Sequence, residues 1–212
     1  MVLDNQRETV DPILTTIAKH MVNFNPNALT WISLLFAFFA GVFFYLSDPE
    51  SEFVYFYLYV AVLFVFLNGF FDAIDGKVAK LAHKASKKGD FLDHAIDRYA
   101  DVFMVGGLAL SPWCRYPSIG LLAIVGMLLT SYMGTQAQAV GFKRDYSGAL
   151  GRADRLVLLM IFPIIQHILL YYPDLKLLLG LFLLEWVLIY FAVMGNITAA
   201  QRFYSTLRWF KK

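Results

Sequence analysis

The chain has 212 residues and a net charge of +2; 59% of its residues are hydrophobic, 17% aromatic and only 16% charged. That balance excludes an ordinary soluble domain and predicts one membrane domain. Cys114 is the single cysteine, which excludes an internal disulfide framework.

Residues 1–27 hold Arg7, Asp11, Lys19 and His20 and no apolar core of their own, so no cleavable signal peptide is expected there. Val10, Ile13, Leu14, Ile17 and Met21 fall on one side of a helix, which predicts an amphipathic helix lying on the membrane surface. Residues 28–212 then form the membrane domain. A crossing of roughly 30 Å of hydrocarbon takes ~20 residues, and runs of that kind lie near residues 28–47, 53–71, 91–110, 118–140, 156–171 and 175–194. The second is expected to continue as helix to Lys80 and the sixth to about Arg208, while Pro163 predicts a kink in the short fifth. The fold expected is an all-α integral membrane protein of six transmembrane helices plus the surface helix.

The connections orient these spans. Lys77, Lys80, Lys84, Lys87 and Lys88 follow the second; Lys143, Arg144, Arg152 and Arg155 follow the fourth; Arg202, Arg208, Lys211 and Lys212 close the chain. These segments belong in the cytoplasm. The acidic run Asp48-Pro-Glu50-Ser-Glu52, residues 111–117 with only Arg115, and the balanced run from Tyr172 to Lys176 belong outside. Both termini are thus expected to face the cytoplasm.

Chemistry concentrates between the second and third spans. Asp72-Ala-Ile-Asp75-Gly76-Lys-Val-Ala79-Lys80 is followed, eight residues later, by Gly89-Asp-Phe-Leu-Asp93-His-Ala-Ile-Asp97. Asp72 and Asp75 stack on one helix face, as do Asp93 and Asp97 on another. Carboxylates beside hydrocarbon need neutralising, so four together imply bound divalent metal. Oxygen ligands in that number suit Mg²⁺, Mn²⁺ or Ca²⁺ rather than zinc. Gly76 and Gly89 would let a phosphate-bearing ligand approach the backbone. The cluster falls at the cytoplasmic face, where nucleotides are found.

These residues resemble the motif of the CDP-alcohol phosphotransferases, D-x2-D-G-x2-A-R-x8 or x9-G-x3-D-x3-D, with Lys80 in place of the usual Arg. Lys keeps the charge and loses the two-pronged donor. The resemblance implies a transferase with a two-metal site of Mg²⁺ or Mn²⁺, working on a CDP-linked lipid, CDP-archaeol or CDP-diacylglycerol. An acceptor hydroxyl would attack the β-phosphate and CMP would leave. Asp72, Asp75 and Asp93 would chiefly hold metal, and Asp97 would act as base and also touch metal. Asp75, Gly76, Ala79, Lys80 and Gly89 would line the CDP pocket, and Asn25, in the run from Asn25 to Thr30, would help to hold phosphate. Relatives of this kind are usually homodimers. Membrane lipids are expected partners, and nucleic acid is not.

The acceptor is read from the fourth connection. Gly148-Ala-Leu-Gly151-Arg152-Ala-Asp154-Arg155 looks like the Arg-Pro-Glu-Arg element of phosphatidylinositol-phosphate synthases, and Asp97-Arg98-Tyr-Ala-Asp101 resembles the same branch. Arg152 and Arg155 at a helix start would favour an anion, and Arg202 ends the sixth helix. A phosphorylated polyol, inositol phosphate first, is the favoured acceptor; glycerol phosphate and serine are the alternatives. Gly134, Gln136 and Gln138 depart from the inositol branch, which usually carries basic residues and an acid there. Outside this class, four acids at a membrane would suit a cation transporter, although transport would disperse acids over several spans. His83 and His94 have no partner at metal-ligand spacing and are expected to be interfacial polar residues. Asp101 is expected to pair with a neighbouring arginine.

Overall fold

The structure, a computed structural model, describes residues 7–143, 148 and 150–210, with side chains from residue 11 onward. The Val10 side chain, Arg144, Lys211 and Lys212, all used in the sequence reading, lie outside the described residues. The described chain is all-helical: α1 (Arg7–His20), α2 (Pro26–Leu46), α3 (Val54–Leu81), α4 (Lys87–Ala109), α5 (Pro117–Ala139), α6 (Arg152–Leu170) and α7 (Leu183–Trp209). Five of these, α2, α3, α5, α6 and α7, are long and apolar enough to cross a membrane. The span expected over 91–110 is indeed helical, as α4, but Asp90, Asp93, Asp97, Arg98 and Asp101 make it more polar than the others.

The helix starts are set by local chemistry. Asn25 caps α2 by accepting from the Asn27 N–H at 3.0 Å, and Pro26 opens the first turn. Ser86 caps α4 through the Gly89 N–H at 3.1 Å. At α6, the Asp154 carboxylate accepts the Gly151 N–H at 2.9 Å, so the helix begins at Arg152, four residues before the expected span. Pro163 sits inside that continuous helix.

The last expected span needs correction, because residues 175–182 are not helical. Leu178 and Leu181 exchange backbone hydrogen bonds around a tight turn with Leu179 at φ 51° and Gly180 at φ 81°, a left-handed pair that no helix accommodates. α7 starts at Leu183, where the Gln166 side-chain oxygen takes the Leu183 and Leu184 N–H groups at 2.6 and 3.4 Å.

Of the apolar side expected on α1, Leu14, Ile17 and Met21 turn toward the protein, where with Ala18 they pack against Leu29, Ile74 and Val78, whereas Ile13 points away and is 63% exposed. α1 therefore docks on α3, and the Lys77 ammonium reaches Asp11 across that contact. The pairing holds the Asp11 carboxyl below the usual carboxylate range.

α2 packs along α3 and α4, and α5 along α7. The α2–α4 crossing is set by Gly41 and Gly107: a Cβ on Gly107 would stand 2.1 Å from the Gly41 carbonyl oxygen. On the end of the bundle away from the acids, Trp113 donates to Ser47 Oγ at 2.7 Å, and the fully buried Glu185 accepts the Arg115 N–H at 3.0 Å. Cys114 is buried there, which pushes its thiol up. Large apolar side chains such as Leu63, Phe66, Leu121 and Ile168 face outward, as lipid contact requires.

Candidate active site

α3 ends and α4 begins at the same end of the bundle, and their acids meet there. Asp75 is buried and accepts the Thr30 hydroxyl, from the first turns of α2, at 2.6 Å. Asp72 and Asp93 lie close enough for their charges to act on Asp75. The Asp72 and Asp97 carboxyls are within hydrogen-bonding reach of each other. Ligand atoms of Asp93, His94 and Asp97 lie within 4.8 Å of one another. All four acids expected from the sequence are thus gathered across α3 and α4. His94, read from spacing as an interfacial residue, joins them because it follows Asp93 directly, and it also lies 3.4 Å from Asp90.

Three arginines enter this cluster. The Arg152 Nη1 stands between Asp72, at 2.6 Å, and Asp97, with Nε 3.6 Å from Asp101. Arg155 is buried behind it and donates to Asp101 at 2.5 Å. Arg98 faces Asp97 at 3.2 Å and Asp101 at 3.7 Å. Asp101 is therefore an ion-pair partner, as its spacing suggests. Arg202 is buried farther along α7 and donates to the Thr130 carbonyl at 2.6 Å. Of the arginines expected around an acceptor, Arg152 alone touches the acids expected to hold metal. Arg155 touches Asp101, and Arg202 is held to the α5 backbone. The segment leading into α6 lies against α7, because a Cβ on Gly148 would meet Thr198 at 2.2 Å.

The residues expected to line a nucleotide pocket fall on the same end. Gly76 is exposed with nothing within 4 Å of the place of a Cβ, and Gly89 stands 3.5 Å from Asn27 Oδ1 on the same measure. Ala79 is half-buried and Lys80 exposed in the last turns of α3. Asn25 serves as the cap of α2, and Thr30, at the end of the same run, gives its hydroxyl to Asp75. The sequence reading missed this Thr30 contact and the bridging position of Arg152. Neither leaves a local signal, since 45 residues separate Thr30 from Asp75.

The model of the family described as CDP-alcohol phosphatidyltransferase matches residues 23–198. The chain belongs to this family. Its relatives include the archaetidylinositol phosphate synthase of Pyrococcus horikoshii, 30% identical over 161 residues that cover 75% of this chain and 80% of the relative. The bifunctional IPC transferase and DIPP synthase of Archaeoglobus fulgidus is 29% identical over 164 residues, 74% of this chain but only 31% of that longer protein. Among solved structures, the phosphatidylinositol phosphate synthase of Mycobacterium tuberculosis with CDP-DAG bound shares the fold at a TM-score of 0.71 and 21% identity, over 92% of this chain and 94% of that one. The same synthase has also been solved with manganese and citrate.

As a CDP-alcohol phosphatidyltransferase the chain is a transferase, and its acids can be tested for fit to a metal. Asp75 is buried to 4% exposure and meets no basic side chain among the described residues. Asp72 Oδ1 is buried without a hydrogen-bond partner among the described residues, and Asp97 Oδ1 meets the Arg152 guanidinium. Among the described residues, the guanidiniums of Arg98, Arg152 and Arg155 face Asp72, Asp97 and Asp101, and none reaches Asp75. A buried carboxylate without a cation among the described residues, beside further carboxylate oxygens and no thiol, fits a hard divalent cation.

Proposed function

We propose that the protein transfers the phospholipid moiety of a CDP-linked lipid, CDP-archaeol or CDP-diacylglycerol, to inositol phosphate, with release of CMP. The observation that carries this reading is the buried Asp75, without a basic partner among the described residues, set among Asp72, Asp93 and Asp97 beside Arg152, which reaches both Asp72 and Asp97. The names of the relatives favour an inositol phosphate acceptor over glycerol phosphate or serine.

Asp72, Asp75, Asp93 and Asp97 would hold Mg²⁺ or Mn²⁺ as a pair. Such ions, when bound, neutralise the pyrophosphate and the departing CMP. Gly76 and Gly89 admit the CDP group to the backbone, and Ala79 and Lys80 border it. Asp97 takes the proton of the acceptor hydroxyl as that oxygen bonds to the β-phosphorus and the bond from phosphorus to the bridging oxygen of CMP breaks. Arg152 offers its guanidinium to the acceptor phosphate, with Arg155 holding Asp101 in place behind it and Arg202 fixing α7 to α5.

α4 makes a sixth crossing, with its acids between Asp90 and Asp101 and the apolar residues from Val102 to Ala109 after them. Six spans put both termini and the acid cluster on one side, and the lysines from Lys77 to Lys88 make that side the cytoplasm. The family resemblance implies a homodimer in the cell membrane, with α1 as its juxtamembrane helix.

The test is CMP release by the purified protein with each CDP-lipid. Release should require inositol phosphate and Mg²⁺ or Mn²⁺, stop with a chelator, and be abolished by Asp97→Asn while CDP-lipid binding persists. Equal release from glycerol phosphate, or near-normal turnover by Asp97→Asn, would contradict the acceptor or the base.

A further inference from the structure

We infer that Arg152 is a counter-cation of Asp72 and Asp97, and that divalent metal binds by displacing its guanidinium from these two carboxylates toward the acceptor phosphate. The inference rests on the metal-site reading above and adds an exchange to it.

The Arg152 Nη1 reaches one carboxylate on α3 and one on α4 at once, at 2.6 Å from Asp72 and in close contact with Asp97. A divalent ion reaches carboxylate oxygens at about 2.0–2.6 Å, so the place that holds this nitrogen has the dimensions for one ion. The nitrogen and an ion cannot stand there together. The remainder of the guanidinium is poorly served: Nε, 3.6 Å from Asp101, and Nη2 are buried and make no hydrogen bond among the described residues. A tetrahedral phosphate would engage two of these donors at once.

Arg152 also has a way out. It is the first residue of α6, its side chain is 16% exposed against 3% for Arg155, and a long flexible stem lets the guanidinium swing while the helix stays. Arg155, buried against Asp101, has no such freedom. Metal and acceptor phosphate should therefore help each other bind, because the phosphate gives the displaced guanidinium a new partner, and this coupling is reciprocal.

The experiment is Mn²⁺ binding to the purified protein without lipid, read from the loss of the free-ion EPR signal, with and without inositol phosphate. Arg152→Gln should bind Mn²⁺ at least about tenfold more tightly than the parent protein, within the usual range of coupling between sites. Inositol phosphate should tighten Mn²⁺ binding in the parent and leave it unchanged in Arg152→Gln. Equal or weaker Mn²⁺ binding by Arg152→Gln would overturn the exchange. Should that variant not fold, Arg152→Lys keeps the charge but not the two-pronged donor. It should lose the coupling to inositol phosphate, and coupling of parental strength would overturn the exchange. Absence of Mn²⁺ binding in parent and variant alike would defeat the metal reading beneath it and the exchange with it.

Discussion

Thr30 on α2 donates its hydroxyl to the buried Asp75 carboxylate on α3 at 2.6 Å. The contact ties α2 to the acid cluster and fixes Asp75 Oδ2. A hydrogen bond to a charged group contributes about 1.5–3 kcal/mol. Thr30→Val, which keeps the shape and removes the hydroxyl, should lower kcat/KM by roughly 10- to 100-fold with the fold intact, checked by CMP release and thermal melting. Unchanged kinetics would remove Thr30 from the site.

Arg155 and Asp101 form a pair in which both side chains are almost wholly buried, 3% and 2% exposed. Removing one partner of such a pair costs about 3–5 kcal/mol, because the other is left charged and enclosed. Arg155→Met should therefore lower the melting temperature strongly, and the double variant with Asp101→Asn should recover part of the loss. Additive losses in the cycle would show that the pair is not coupled.

A methyl group on Gly107 would meet the Gly41 backbone, with the carbonyl oxygen at 2.1 Å and nothing flexible to yield. Gly107→Ala should separate α2 from α4 and cost about 3 kcal/mol or more, at or beyond the upper end of overpacking penalties. Because α2 carries Thr30 and α4 carries Asp93 and Asp97, activity should fall with stability. Melting in detergent and turnover of the same preparation check both, and a variant as stable as the parent would refute the close crossing.

The acid cluster is legible in the sequence because its spacing obeys helical geometry: Asp72 with Asp75 and Asp93 with Asp97 share faces whatever the surroundings. Long apolar runs place α2, α3 and α5 for the same reason. The start of α7 is not legible, since residues 175–182 are as apolar as a span, and only the left-handed backbone at Leu179 and Gly180 stops the helix. Nor is the position of Arg152. Its charge and helix start are visible, but its contact with Asp72 and Asp97 depends on how α6 packs beside α3 and α4, which no local pattern records.

The Asp11–Lys77 contact gives a pH dependence with a definite sign. Asp11 is held below its ordinary value of 3.8 by its bond to Lys77, so its stabilisation of the docked α1 is fully present above that value and is lost as pH falls through the depressed one. Between pH 7 and 5 the docking of α1 should not change. Limited proteolysis near residues 21–25 over that range checks it, and Asp11→Asn should raise cleavage at neutral pH. Cleavage that rises already between pH 7 and 5 would contradict the assignment.

The central claim is that Asp72, Asp75, Asp93 and Asp97 surround divalent metal. Anomalous scattering from a crystal grown with Mn²⁺ tests it most directly. The account predicts anomalous peaks among these four carboxylates, lost in Asp75→Asn. A Mn²⁺-saturated crystal with no peak there, and with Arg152 still seated between Asp72 and Asp97, would contradict it.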